Sequence, residues 1–133
     1  MATFKSFEEI DVWQKARVLA KLVYAETSKP KFDNDRKLRS QMSGSSGSIM
    51  DNIAEGQGRG GSREFRQFLW IAKGSSAELR SQLYRSFDRE YLDKQTFEDL
   101  FNKADEIEKM LKGLINHIEK SELKGIKYKT GEL

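Results

Sequence analysis

Apolar side chains recur along this chain at intervals of three and four, the spacing of one face of an α-helix. The first series is Val12, Trp13, Ala16, Leu19, Ala20, Val23, Tyr24 and Thr27. Ser6 followed by Glu9 has capping-box spacing, and Pro30 ends the series because the residue before a proline avoids the α region. These signals predict a first helix over about 6–28. A second series, Leu38, Met42, Ser45, Ile49, Asn52, Ile53 and Gly56, follows the acids Asp33 and Asp35, which suit the positive end of a helix over about 34–56. A third, Phe65, Phe68, Leu69, Ala72, Ser76, Leu79, Leu83 and Phe87, predicts a helix over 62–88 with Ser62 as its cap. A fourth runs from Phe97 through Leu100, Ala104, Ile107, Leu111 and Ile115 to Ile118, over 93–120, with Asp93 as cap. Beyond it, 123–133 reads as a frayed tail. No segment alternates with period two. The pattern is that of an all-α protein, a single domain over 1–133 folded as an antiparallel up-and-down four-helix bundle.

One stretch tests this reading. Ser43-Gly44-Ser45-Ser46-Gly47-Ser48 has the composition of a flexible linker. Yet the second apolar series crosses it unbroken, which favours a helix over a hinge. A glycine inside a helix costs about 1 kcal/mol relative to alanine. Close approach of a neighbouring helix backbone would account for Gly44 and Gly47, and Gly47→Leu is then expected to clash.

Composition narrows the class. There is no cysteine, hence no disulfide framework, thiolate metal site or cysteine nucleophile, and one proline. No run of about 18 apolar residues is present, and the first residues lack a signal pattern; the expectation is a cytoplasmic protein without a membrane span.

The net charge of +3 is unevenly spread. Residues 57–89 hold seven basic and three acidic side chains, and 90–122 hold five and nine. Within the basic segment Arg59, Arg66, Lys73 and Arg80 stand seven apart, with Arg63 between them. Positions seven apart drift only about 20° per step around a helix, so these five form one basic stripe. It suits the phosphate backbone of RNA or DNA, with salt-sensitive attraction; equally, it suits a solvated face, or one neutralised by the acidic fourth helix or by a neighbouring subunit. Trp13, Trp70, Ile71 and Tyr84 exceed what one core face needs and point to a subunit interface.

Candidate chemistry is sparse. Gly56-x-Gly58-x-x-Gly61 matches the letters of a dinucleotide fingerprint, but that motif needs a preceding strand, and a helix–helix loop is the simpler reading. The amide groups at the start of the third helix, with Arg59 and Arg63, could hold a phosphate. Asn52 and Glu55 suit capping of the following loop or a polar contact with a ligand. His117 is the only histidine, and no carboxylate pair or Glu-x-x-His motif accompanies it. The expectation is a non-enzyme with no metal and no cofactor.

Four segments, VWQKARVLAKLVY at 12–24, DNIAEGQGR at 51–59, EFRQFLWIAKGSSAELRSQL at 64–83 and EIEKMLKGLI at 106–115, fall in an order and spacing that resembles the 23S rRNA intervening sequence proteins. The resemblance spans residues 4 to about 118. It implies a four-helix bundle assembled as a ring-like homopentamer in a bacterial cell. By analogy with a related bundle that binds nucleic acid and a reverse transcriptase, it also implies association with RNA or DNA and a possible protein partner. Where the family usually carries basic residues on the second helix, this chain has Ser43 and Gly44. The other reading is a structural or protein–protein interaction module without nucleic-acid binding.

Overall fold

A computed structural model describes residues 4–130, with side-chain surroundings through Gly125. A 3-10 turn, Phe7–Glu9, leads into α1, Asp11–Thr27; a second 3-10 turn, Pro30–Phe32, precedes α2, Arg36–Gly58; α3 spans Ser62–Asp88 and α4 spans Lys94–Thr130. Each helix packs against two neighbours: α1 on α2, α2 on α3, α3 on α4, and α4 on α1. Partners along α2 and α3 run in opposite order, from Asp35 with Arg89, through Ser45 with Gln82 and Ser48 with Ser75, to Gly56 beside Phe68. The α3–α4 pair behaves likewise, from Arg66 with Glu122, through Arg80 with Glu108, to Phe87 with Phe97. Both pairs are therefore antiparallel.

The core is the set of residues the periodicity picks out. Leu19, Val23, Leu38, Ile49, Ile53, Leu69, Leu79, Leu83, Leu111 and Ile115 are all fully buried. Removing a side chain of this kind from water contributes about 1.5–3 kcal/mol, so four such faces in contact outweigh the weak helix propensity of the serine- and glycine-rich α2. Residues 43–48 are helical throughout. Their buried hydroxyls are satisfied locally or across to α3: Ser46 Oγ donates to the Met42 carbonyl at 2.8 Å, and Ser45 Oγ donates to Gln82 Oε1 at 2.6 Å.

The close approach expected at Gly44 and Gly47 is not there. A Cβ on either would meet nothing within 4 Å, since both lie on the outward side of α2. The glycine that needs to be glycine is Gly56, where a Cβ would sit 2.7 Å from Phe68 Cβ and 3.3 Å from the Phe65 carbonyl oxygen. The chain turns sharply just beyond it, with Gly60 at a φ of 85°.

Helix ends also differ from expectation. The Ser6 side chain makes no capping bond; Glu9 Oε2 instead accepts from the Lys5 amide at 2.9 Å, and α1 starts only at Asp11. Ser62 lies inside α3, and Gly61 takes the cap position without a side-chain bond. Asp35 and Asp93 do cap, accepting from the Leu38 and Thr96 amides at 3.2 and 2.7 Å. At the end of α3, Glu90 adopts a φ of 63°, and Tyr91 N–H reaches back to the Ser86 carbonyl at 2.9 Å. This is a Schellman stop made without glycine. The segment read as a frayed tail from 123 continues α4 to Thr130. Gly125 alone, at about 1 kcal/mol, does not halt a long helix that lacks proline. Residues 131–133 lie outside the described residues.

Candidate functional site

The basic stripe follows α3 along the side that meets α4, and α4 meets it with acids. Arg66 Nε donates to Glu122 Oε1 at 2.7 Å, and its Nη2 reaches Oε2 at 3.3 Å. This forked contact raises the Arg66 pKa above its ordinary value, chiefly through the hydrogen bond. Arg80 Nη2 donates to Glu108 Oε1 at 2.7 Å, and Lys73 Nζ lies 4.0 Å from the other oxygen of the same carboxylate. Arg59 pairs with Glu55 one turn back at 3.1 Å and lies 5.1 Å over the Phe68 ring. Of the five stripe residues only Arg63 is exposed without an ion pair among the described residues. The stripe thus fastens α3 to α4 for much of its length. The signal for this was in the sequence, where the acid-rich fourth segment follows the basic third.

The large apolar residues divide. Trp13 was expected at an interface, but its ring is 9% exposed, in edge contact with Phe7 at 4.9 Å, and belongs to the core. The 3-10 turn folds Phe7 back over it, which helical spacing alone does not reveal. Ile71 and Tyr84 are 51% and 50% exposed, and Trp70 is 41% exposed. Consecutive helix positions point about 100° apart, so Trp70 and Ile71 lie on different flanks of α3. Ile71, four residues before Ser75, lies toward α2, since Ser75 Oγ and Ser48 Oγ share a hydrogen bond at 2.9 Å. Trp70 lies toward α4, with Lys112 Nζ 4.7 Å and Lys73 Nζ 5.6 Å from its ring centroid. Tyr84 joins an aromatic group with Phe97 and Phe101, both at 5.2 Å. Val18 and Tyr24 on α1 are exposed as well, and sequence reasoning did not single out Val18.

The remaining candidates are placed by the fold. Asn52 Nδ2 donates to the Ser48 carbonyl and Oγ within α2, not to the loop. The glycine cluster is the α2–α3 turn, and Glu64 folds against Gly61 at the start of α3, where an anion was considered. A groove of about 470 Å³ between α1 and α4 is floored by Val18 and Ile107 and bridged by Lys15 and Glu106 at 2.8 Å. Their hydrogen bond raises the Lys15 pKa and lowers that of Glu106. His117 is exposed on α4. Among the described residues no three His, Cys, Asp or Glu side chains gather as a metal site, and no helix is long and apolar enough to cross a membrane.

Four helices closed in a ring, with ion pairs and aromatic side chains on the outside, define a helical-bundle protein. The sequence pattern of the 23S rRNA-intervening sequence protein family matches residues 8–113, and the chain belongs to that family. The fold is similar to the crystal structure of a protein of unknown function from the S23 ribosomal protein family of Bacteroides thetaiotaomicron VPI-5482. The TM-score is 0.68 at 25% identity, over 78% of this chain and 97% of that one. No curated protein matches the chain.

Proposed function

We propose that this protein is a non-enzymatic bundle that works by assembly, with copies of itself packed on the outer surface of α3. The observation that carries this reading is the exposure of Ile71, a large apolar side chain on the flank that meets α2, with Tyr84 exposed on the same helix. Apolar groups of this size on an otherwise charged surface suit burial against a partner. The fivefold ring implied by the family resemblance gives the number of copies. Light scattering at tens of micromolar checks this. The wild type is expected near five times the 15.4 kDa chain mass, and Ile71→Glu is expected to give smaller species with unchanged helicity. A wild-type monomer at that concentration removes the reading.

A second reading, association with the backbone of RNA or DNA, is favoured by one feature of the α3–α4 side. Three glutamates, Glu108, Glu119 and Glu122, lie near Arg66, Lys73 and Arg80, while Arg63 and Lys112 pair with no carboxylate among the described residues. The surplus is smaller than the bare stripe suggests, so the attraction is weak per subunit and strengthens through repetition in an assembly. Binding to mixed RNA and DNA is expected at about 50 mM salt and should fall steeply as salt rises. Arg63→Gln with Lys112→Gln should flatten that dependence. Absence of binding at about 50 mM salt leaves self-assembly as the function.

A further inference from the structure

The surroundings of Trp70 carry the nucleic-acid reading a step further, to the kind of strand bound. We infer that Trp70, between Lys73 and Lys112, is a stacking seat for an unpaired base of single-stranded nucleic acid. The inference rests on the second reading above, because it supposes that phosphates are attracted to the α3–α4 side at all.

Three observations bear on it. Trp70 is 41% exposed, unlike Trp13, which is in the core. It projects where α3 and α4 meet, and a lysine from each helix approaches its ring, at 5.6 Å from Lys73 and 4.7 Å from Lys112. Arg63, two turns before Trp70, carries free positive charge along α3 toward the loop, beyond Arg66, which Glu122 holds. An exposed aromatic face among cations is the arrangement by which proteins hold single strands: the base stacks on the ring, and phosphates to either side meet the cations. In a duplex the bases are already stacked on each other, so the ring has nothing to receive. Both ammonium groups sit on flexible four-carbon stems. Either can swing from the ring to a phosphate while a base takes its place over the indole. An acidic peptide would engage the lysines but leave the indole without a stacking partner, so the aromatic–cation combination favours nucleic acid.

Tryptophan fluorescence tests this directly, because Trp70 is the exposed member of the pair. Intact protein is titrated at about 50 mM salt with a 12-nucleotide oligo(dT), with the matching dT·dA duplex, and with poly-glutamate. The expectation is saturable quenching by the single strand, little quenching by the duplex, and none by poly-glutamate. Trp70→Leu should abolish the quenching and weaken single-strand binding, read by anisotropy of labelled oligonucleotide, about ten-fold or more. Trp70→Phe, which keeps a ring, should retain most of the affinity, and circular dichroism confirms that both variants are folded. Equal affinity for single strand and duplex, with no loss in Trp70→Leu, overturns the stacking seat but leaves the backbone reading standing. No binding of either nucleic acid overturns both. Quenching by poly-glutamate equal to that by oligo(dT) overturns the inference in favour of an acidic protein partner.

Discussion

Gly44, Gly47 and Gly56 lie in one helix and have opposite requirements. The first two face outward with open space where a Cβ would stand, whereas Gly56 is pressed against Phe65 and Phe68 of α3. Alanine at Gly44 or Gly47 therefore removes backbone freedom from the unfolded chain and adds helix propensity at no steric cost. Each substitution is expected to stabilise by about 0.5–1 kcal/mol in urea unfolding. Gly56→Ala places a methyl group 2.7 Å from Phe68 Cβ, an atom that moves only with the α3 backbone, and is expected to destabilise by about 1–3 kcal/mol. A destabilised Gly47→Ala would show that the outward side of α2 is already covered in solution, which equilibrium unfolding at several protein concentrations would reveal. The sequence marked all three glycines as unusual. It could not say which of them touches α3, because that depends on where the neighbouring helix lies.

At the level of helices, the charge asymmetry between α3 and α4 is resolved as a seam. Glu108, about four-fifths buried, receives Arg80 at 2.7 Å and Lys73 at 4.0 Å, and also lies 3.4 Å from Ser76 Oγ. Its loss leaves two partly buried cations short of a partner, which costs more than the loss of an exposed surface pair. Glu108→Gln is expected to destabilise by about 1–2 kcal/mol, with faster amide exchange in the α4 turns around residue 108. Glu106→Gln, whose partner Lys15 is half exposed, should change stability less than Glu108→Gln does. Hydrogen exchange with urea unfolding of both variants checks the contrast. Replacement of Arg66 or Arg80 consequently affects the α3–α4 packing as well as any bound phosphate, so Arg63 and Lys112 are the cleaner sites for testing nucleic-acid contact.

The whole molecule is tied at one end by Asp35. Its Oδ1 caps α2, while Oδ2 accepts from Arg89 at 2.6 Å and from the Tyr91 hydroxyl at 3.0 Å, joining the start of α2 to the turn between α3 and α4. Burial pushes the Asp35 carboxyl up, but the bonds from Tyr91, Arg89 and the Leu38 amide outweigh it and hold the pKa below the usual carboxylate range. Asp93 is lowered too, chiefly by the Thr96 amide. A folded-state pKa below the unfolded one means stabilisation that is complete above the unfolded value of about 3.9 and is lost as pH falls through the folded value. Unfolding free energy should thus be insensitive to these two groups at neutral pH and decline below about pH 4. Asp35→Asn should be less stable at pH 7 and show a shallower acid decline. A decline of the same steepness in that variant would mean other carboxylates control the acid limb.

Helix number, helix order, the buried stripe on each helix and the family were all legible in the sequence, because each follows from local periodicity, from helix-stop signals at Pro30 and Gly60, or from contiguous motifs such as Asn52-Ile53-Ala54-Glu55-Gly56. The helical state of residues 43–48 was legible too, since a buried stripe that keeps its period cannot cross a hinge. What the stripe of cations meets, which tryptophan is exposed, and which glycine is indispensable were decided only by the tertiary structure. Each depends on a neighbour distant in the chain: Glu108 and Glu122 across from α3, Phe7 folded over Trp13, and Phe68 against Gly56. A helical repeat sets the direction in which a side chain leaves its own axis. Burial and pairing depend on the position of the other axes, which the packing of all four helices sets together.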